Sequence, residues 1–340
     1  MRILIIGSNK KWAFENHYIK HLNNIGQQVK SFPAHDLFYA YYYKSLLNKL
    51  IFRSGLSSIY QSINNELIRL TETEKFDILW IFKGMEIFPE TLDKIKKRGI
   101  KLVNFNPDHP FIHTFRGSGN ANVINSIGCY NLHLCYNLSV KNRIETEFKI
   151  KCEWLPFGYE ETDVHFPSEK IEILRGCFIG NPDKYRASTI KQLAEKGIPI
   201  DLYGHNWKKW VPARQGMEIS YHPAVYKGDF NKVATQYRLQ LNIFRPHNDN
   251  SHNMRTFEMP GLGCIMLAPE SKEHSLLFND TDEAFFYKSE EDLYGKANLI
   301  LNMDYETALA IRKKAIQRSV NSEYSYRNRA AQVIEIFKTL

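Results

Sequence analysis

The sequence predicts an α/β protein built from two successive open parallel sheets. Three observations carry that expectation. Short apolar runs of strand character alternate with helical patterns from the first residue onward. The alternation halts at a polar stretch bounded by Pro156 and Pro167, and then restarts. A chain of 340 residues with 43% hydrophobic residues is long for one core and comfortable for two.

In the first half the expected strands are Arg2–Ile6, Val29–Phe32, Phe76–Phe82, Ile100–Phe105, Leu132–Tyr136 and Cys152–Leu155. The opening Met1-Arg2-Ile3-Leu4-Ile5-Ile6-Gly7 reads as a first strand rather than a signal peptide. Residues 36–70 exceed a minimal strand–helix unit. There Leu37, Phe38, Tyr39, Tyr41, Tyr42, Tyr43, Leu46, Leu47, Leu50, Ile51 and Phe52 are interleaved with Lys44, Lys49 and Arg53, a wide apolar surface with a basic margin if helical. One reading is core; the other is a peripheral membrane contact through residues 37–53, docking on anionic lipid, or a seat for a hydrophobic acceptor. Pro156 to Pro167 lacks periodicity and is the best linker in the chain. The second half restarts with Gly176–Ile179, Ile200–Tyr203, Leu239–Phe244, Ile265–Ala268 and Ala284–Tyr287. Two last helices carry apolar faces: Tyr305, Ala308, Leu309, Ala315 and Ile316, then Tyr326, Ala330, Val333, Ile334 and Phe337. Two such sheets imply two Rossmann-like domains, at 1–155 and 171–322, joined by a linker at 156–170 and followed by a terminal helix at 323–340.

Composition narrows the function classes. Apolar runs such as Ile78 to Phe82 and Cys264 to Ala268 are far too short to span a bilayer, so a cytoplasmic protein is expected, with a peripheral place on the inner face of the membrane as a further option. Five cysteines form no CxxC pair and sit mostly in strand-like runs, as reduced core residues do. The formal charge of +8 permits an anionic partner. Nucleic acid is not expected, because zinc-finger spacing, RNA-recognition strand motifs and dense basic arms are all missing.

Open parallel sheets bind ligands at the carboxyl ends of their strands, and two facing domains would place both sets of loops on one central cleft. In the second domain those loops carry Gly180, Asn181 and Arg186; Gly204, His205 and Asn206; and Asn253 to Glu258. The last segment is the most informative. A loop with Asn248, Asn250, Ser251 and Asn253 enters a short helix carrying Arg255 and Glu258, and Gly261 and Gly263 then launch an apolar strand. Free N–H groups at a helix start attract phosphate, Arg255 can reinforce them, and Glu258 can accept hydrogen bonds from a ribose diol. A loop, helix and strand with solvated Arg and Glu side chains is the plainer alternative.

Arg255-Thr256-Phe257-Glu258 with Gly261 and Gly263, an apolar strand, Phe285-Phe286-Tyr287 and Ser289-Glu290-Glu291-Asp292-Leu293 resemble the carboxy-terminal half of the CgeB/YkvP-like glycosyltransferases, within the wider GT-B group. Further matches follow in order: Asn106-Pro107-Asp108-His109-Pro110, Leu155-Pro156-Phe157-Gly158, Phe178-Ile179-Gly180-Asn181 before Arg186, Leu202-Tyr203-Gly204-His205-Asn206-Trp207, and Tyr226-Lys227-Gly228. The resemblance implies a GT-B fold and sugar transfer from a nucleotide-diphosphate sugar to a glycan, lipid-linked or protein acceptor. It places Glu258 on the ribose, Arg255 and Arg186 on the diphosphate, and Tyr226 and Lys227 near the base. Gly180, Asn181, His205, Asn253 and Thr256 complete the expected donor site. Gly7-Ser8-Asn9 resembles a GT-B loop facing donor or acceptor, without the GxGxxG spacing of a dinucleotide fingerprint. The terminal helix is expected to return to the first domain.

No DxD-type metal motif stands out at the end of an expected strand, and arginine plus a helix dipole can stabilise the leaving diphosphate, so transfer without metal or other cofactor is expected. The loop Asn106 to Pro110 follows an expected strand and is framed by two prolines. Asp108 is the first candidate base for an acceptor hydroxyl and His109 the second, with a helix cap as the structural alternative for Asp108. Asn250 stands where many retaining relatives carry a first glutamate, which leaves the stereochemistry open, and Pro260 implies a short or kinked helix. Two rivals remain: a nucleotide-sugar 2-epimerase of the same fold, and a non-catalytic structural or carbohydrate-binding protein.

Overall fold

The computed structural model describes residues 1–112, 117–226, 228–248 and 250–340. They form two compact units, one of Met1–Pro156 with Tyr326–Leu340 and the other of Phe157–Ser325.

The first unit contains β1 (Arg2–Ile6), β2 (Gln28–Phe32), β3 (Ile78–Phe82), β4 (Lys101–Phe105), β5 (Leu132–Cys135) and β6 (Cys152–Trp154). All pairings are parallel, in the order β2-β1-β3-β4-β5-β6. The central β3, Ile-Leu-Trp-Ile-Phe, is buried at every position, as a parallel strand covered on both faces requires. Alternate side chains of β3 serve opposite faces. Trp80 meets Tyr18 at 4.7 Å and Phe337 at 5.4 Å between ring centroids, so helices Glu15–Asn24 and Tyr326–Phe337 cover one face. Leu79 and Ile81 join Phe38, Tyr42, Leu67 and Leu92 on the other.

The apolar stripe after residue 36 divides in two. It forms helices Ala34–Tyr42 and Leu46–Arg53, of which the first buries Phe38 and Tyr42 while the second buries nothing. Core therefore accounts for only part of this surface.

The second unit contains β7 (Ile173–Ile179), β8 (Ile200–Tyr203), β9 (Ile219–His222), β10 (Tyr237–Leu241), β11 (Met266–Pro269) and β12 (Phe285–Tyr287). They pair in parallel as β12-β11-β10-β7-β8-β9. Counted within the unit, this is the 3-2-1-4-5-6 order of a doubly wound nucleotide-binding sheet. The order reverses between β7 and β10. Two strand expectations need correction. β9 was not expected, because Ile219-Ser220-Tyr221-His222 is partly exposed throughout and lies on the sheet edge, where no apolar run is needed. β10 spans Tyr237–Leu241 rather than reaching Phe244; the Asn242 N–H still donates to the Leu267 carbonyl of β11 at 2.9 Å, and Ile243 and Phe244 begin a strand-end loop.

Below this sheet Glu172 is buried between two arginines. Its Oε2 accepts from Arg238 Nε at 2.7 Å and its Oε1 from Arg312 Nη2 at 2.7 Å. Arg312 also donates to the Gly263 and Tyr237 carbonyls, tying helix Tyr305–Asn321 to the strands above it. All five cysteines are free thiols, with Cys129 half-buried and the others buried. Among the described residues no helix is long and apolar enough to cross a membrane.

Candidate functional site

In an open parallel sheet the ligand crevice lies beyond the carboxyl ends of the strands at the point where the order reverses. In the second unit that point is flanked by the loops after β7 and β10. Gly180 and Asn181 follow β7, and helix Lys184–Glu195 starts with Asp183 accepting the Arg186 N–H at 3.0 Å. Arg186 then bridges the two loops, donating from Nε to the Ile243 carbonyl at 3.0 Å and from Nη1 to the Asn181 carbonyl at 3.2 Å. The Asn181 side chain accepts from the His205 N–H at 3.3 Å. Gly204 has φ +154°, and a Cβ there would collide with the Gly180 carbonyl, so only glycine lets the loops after β7 and β8 approach this closely.

Beyond β10, the loop into helix Arg255–Gly261 is held from beneath by buried polar groups. His274 Nδ1 donates to the Pro269 carbonyl at 2.8 Å, which leaves Nε2 to accept from the Thr256 hydroxyl at 2.9 Å. Asn253 accepts from the Thr256 N–H at 3.2 Å and donates to Asn242 at 2.8 Å. His252 Nδ1 and Ser251 Oγ converge on Glu273 at 2.5 and 2.8 Å. Burial pushes the His274 pKa down to about 3, so its ring is neutral. The Thr256 side chain is fully buried and engaged there, so it shapes the helix start rather than facing a ligand.

Arg255 and Glu258 are partly exposed on this helix and pair with each other through Nη1 and Oε2. The Arg255 guanidinium also lies 4.1 Å from the Phe230 ring centroid. Burial, with repulsion from Arg245 and Arg255, pushes the Arg186 pKa down to about 10 against the pull of Asp183. Arg186 remains charged at neutral pH. Three guanidiniums therefore gather at the reversal point, with Asp183 lying 3.6 Å from Arg186 and 3.8 Å from Arg245. Arg245 is missing from the sequence-based candidates although it directly follows the strand expected at Leu239–Phe244, so the strand-end rule was sufficient to name it. Tyr226 is exposed and His205 is exposed, while Lys227 lies outside the described residues.

The corresponding loops of the first unit are acidic. The Ser8 N–H donates to Glu15 Oε1 at 2.9 Å, Ser8 Oγ to Asp36 at 2.8 Å and the Asn9 N–H to Asp36 at 2.7 Å. The Glu15 carboxylate fills the space that a Cβ on Gly7 would need, and burial pushes its pKa up. These loop donors are thus already satisfied by carboxylates. After β3, Lys83 Nζ lies 2.5 Å from Asp108 Oδ2 and donates to the Gly117 carbonyl at 2.8 Å. His35 Nδ1 lies 2.7 Å from the buried Glu86. The Asp108 N–H donates to Asn106 Oδ1 at 3.0 Å, and buried Asn106 Nδ2 has no hydrogen-bond partner. His109 is buried, its Nδ1 accepting from the Phe111 N–H at 3.2 Å. Among the described residues the next helix after Asp108 begins at Ala121 under an Asn120 cap, so the helix-cap alternative for Asp108 gives way to the Lys83 pair. Lys83, His35, Glu86 and Glu15 were missed by the sequence reading. Lys83 and Glu86 follow β3, and His35 follows β2, all within reach of the strand-end rule; Glu15 starts a helix well beyond the end of β1 and gave no such signal.

Among the described residues no group of three or more His, Cys, Asp and Glu side chains could hold a metal ion.

Residues 186–335 match the family model described as glycosyl transferase-like. No curated protein matches the chain in sequence. Among solved structures, a glycosyltransferase from Rickettsia africae is similar at a TM-score of 0.69 and 11% identity, over 99% of this chain and 98% of that one. HepE of Anabaena, in complex with UDP-glucose, is similar at 0.68 and 10% identity over 100% of both chains. An Escherichia coli trehalose-6-phosphate structure bound with UDP-2-fluoro glucose is similar at 0.64 and 11% identity, over 100% of this chain and 99% of that one. Two parallel six-stranded units in this order, matched along their whole length, give the chain the fold of the GT-B glycosyltransferases.

Proposed function

We propose that this protein transfers a sugar from a nucleotide-diphosphate sugar to an acceptor hydroxyl, using the reversal point of the second unit as its nucleotide site. The observation that carries the proposal is the convergence of Arg186, Arg245 and Arg255 there, beside a glutamate on the same helix as Arg255. A diphosphate entering this site competes for Arg255, and Glu258, released from its pair, accepts from the ribose diol. The matching family model spans these residues from Arg186 onward, and the UDP-sugars bound by HepE and the trehalose-6-phosphate protein make UDP the first nucleotide to test.

In the transfer, the bond from the sugar's anomeric carbon to the β-phosphate oxygen breaks, and its electron pair leaves with the nucleoside diphosphate. The acceptor oxygen forms the new bond and its proton passes to a base. Guanidiniums aimed at the departing oxygen stabilise the transition state more than the bound substrate, which is the task a divalent metal performs elsewhere. Transfer at this site is therefore independent of metal. On the acceptor side we retain Asp108 as the proton acceptor, with the Lys83 pair opening as the hydroxyl arrives. His35, held through Nδ1 by Glu86, is the alternative group of the first unit, ahead of the buried His109.

The test is product analysis by mass spectrometry after incubation with UDP-, GDP-, CDP- and TDP-sugars and candidate glycan, lipid-linked and peptide acceptors. Release of free nucleoside diphosphate with a glycosylated acceptor supports transfer. A sugar converted to its 2-epimer without acceptor would instead indicate an epimerase, and binding of glycan without turnover of any donor a non-catalytic protein.

A further inference from the structure

Helix Leu46–Arg53 starts with Ser45 accepting the Asn48 N–H at 3.0 Å, and it buries none of its residues. Leu46, Leu47 and Leu50 are 76%, 63% and 61% exposed, and Tyr43 and Leu56 at its ends are 64% and 80% exposed. At about 100° per residue the three leucines occupy roughly a third of the helix circumference. Phe52 points the other way, 4.8 Å from the Phe38 ring, and packs on the core of the first unit. Packing thus holds the leucine face outward.

The charge pattern identifies what the face meets. Residues 37–65 contain no Asp or Glu, although the chain carries 37 acidic residues in 340, and the same segment holds Lys44, Lys49 and Arg53. Lys44 and Arg53 are exposed. The Lys49 ammonium lies 4.8 Å from the Tyr43 ring, and Arg53 donates to the Tyr42 hydroxyl at 3.3 Å, so both border the leucines without a local carboxylate to neutralise them. Apolar tips rimmed by tyrosines and unneutralised cations match the headgroup boundary of an acidic bilayer, where leucine enters the acyl region while lysine and arginine meet lipid phosphates. A protein partner would leave that one-sided charge to be matched by an acidic patch around an apolar centre. We propose that helix Leu46–Arg53, with Tyr43 and Leu56, docks this protein on an anionic lipid surface.

The inference is independent of the catalytic reading, and vesicle co-sedimentation of the full chain tests it. Binding is expected to phosphatidylcholine vesicles containing phosphatidylglycerol, to weaken with salt, and to be slight with phosphatidylcholine alone. The triple variant Leu46→Ser, Leu47→Ser, Leu50→Ser should lose more than about tenfold in vesicle affinity, as should Lys44→Glu with Lys49→Glu. Circular dichroism and donor binding should stay at wild-type values in both, since none of these side chains is buried or in the donor site. Failure to bind acidic vesicles, or unchanged binding by both variants, would overturn the proposal. So would a leucine variant that converts a dimer to a monomer in sedimentation velocity while vesicle binding persists, which would assign the face to a second copy of this chain.

Discussion

Arg245 belongs to a three-arginine cluster: its guanidinium lies 3.8 Å from Asp183 and its repulsion adds to burial in lowering the Arg186 pKa. Guanidiniums so placed attract a diphosphate. Arg245→Ala should therefore weaken nucleoside diphosphate binding by about 1.5–3 kcal/mol, the range for a hydrogen bond to a charged group, with little change in folding. Calorimetry on the variant checks it. Asp108 was legible as a strand-end carboxylate, and Lys83 follows a strand end too, but their pairing was not legible, because they lie 25 residues apart and only the β3–β4 pairing brings the two loops together. If Asp108 accepts the hydroxyl proton, Asp108→Asn should lower turnover on the order of 10²–10⁴-fold with donor affinity nearly intact. A full-rate Asp108→Asn enzyme, with His35→Gln inactive, would transfer the role to the His35–Glu86 pair.

Whole elements were legible where burial leaves a continuous signature. β1, β3 and β8 read directly as apolar runs, whereas β9 did not, since an edge strand with every residue half-exposed has no period to detect. The start of helix Arg255–Gly261 was recognised by its Arg and Glu, while the buried polar network beneath it came from residues, Glu273 and His274, that look like an ordinary exposed helix in sequence. His274 of that network, and His133 buried in β5 of the first unit, have a consequence for acid stability. Burial lowers the pKa of His274 to about 3 and of His133 to about 4, below the ordinary 6.5. The unfolded chain therefore takes up protons first as pH falls. The stability these neutral rings contribute is complete above about 6.5 and is lost as pH descends towards 4 and then 3, at up to about 1.4 kcal/mol per histidine per pH unit. Urea unfolding at pH 7.5 and 5.5 should show the loss, and equal midpoints would contradict it. The Glu172 cluster makes a second prediction. Glu172→Gln leaves Arg238 and Arg312 buried without their carboxylate and should cost about 3–5 kcal/mol in the same assay.

At the scale of the whole molecule, two parallel sheets follow from the repeated alternation of apolar strands and amphipathic helices, and this much was open to reading from the chain alone. Strand order was not, because nothing in a strand's own composition states which neighbour it pairs with. That order decides the site: the reversal between β7 and β10 is what brings Arg186 to the Ile243 carbonyl. If the arginines do the work of a metal, turnover should persist in EDTA, and its complete loss with restoration by manganese or magnesium would contradict the leaving-group chemistry. The most direct measurement is calorimetric titration of the wild-type protein, Arg255→Ala and Glu258→Ala with UDP, GDP, CDP and TDP. A nucleotide site at the reversal point predicts one preferred diphosphate, bound about tenfold or more weaker by each variant. Unchanged affinity in both variants for the preferred nucleotide would show that the site lies elsewhere.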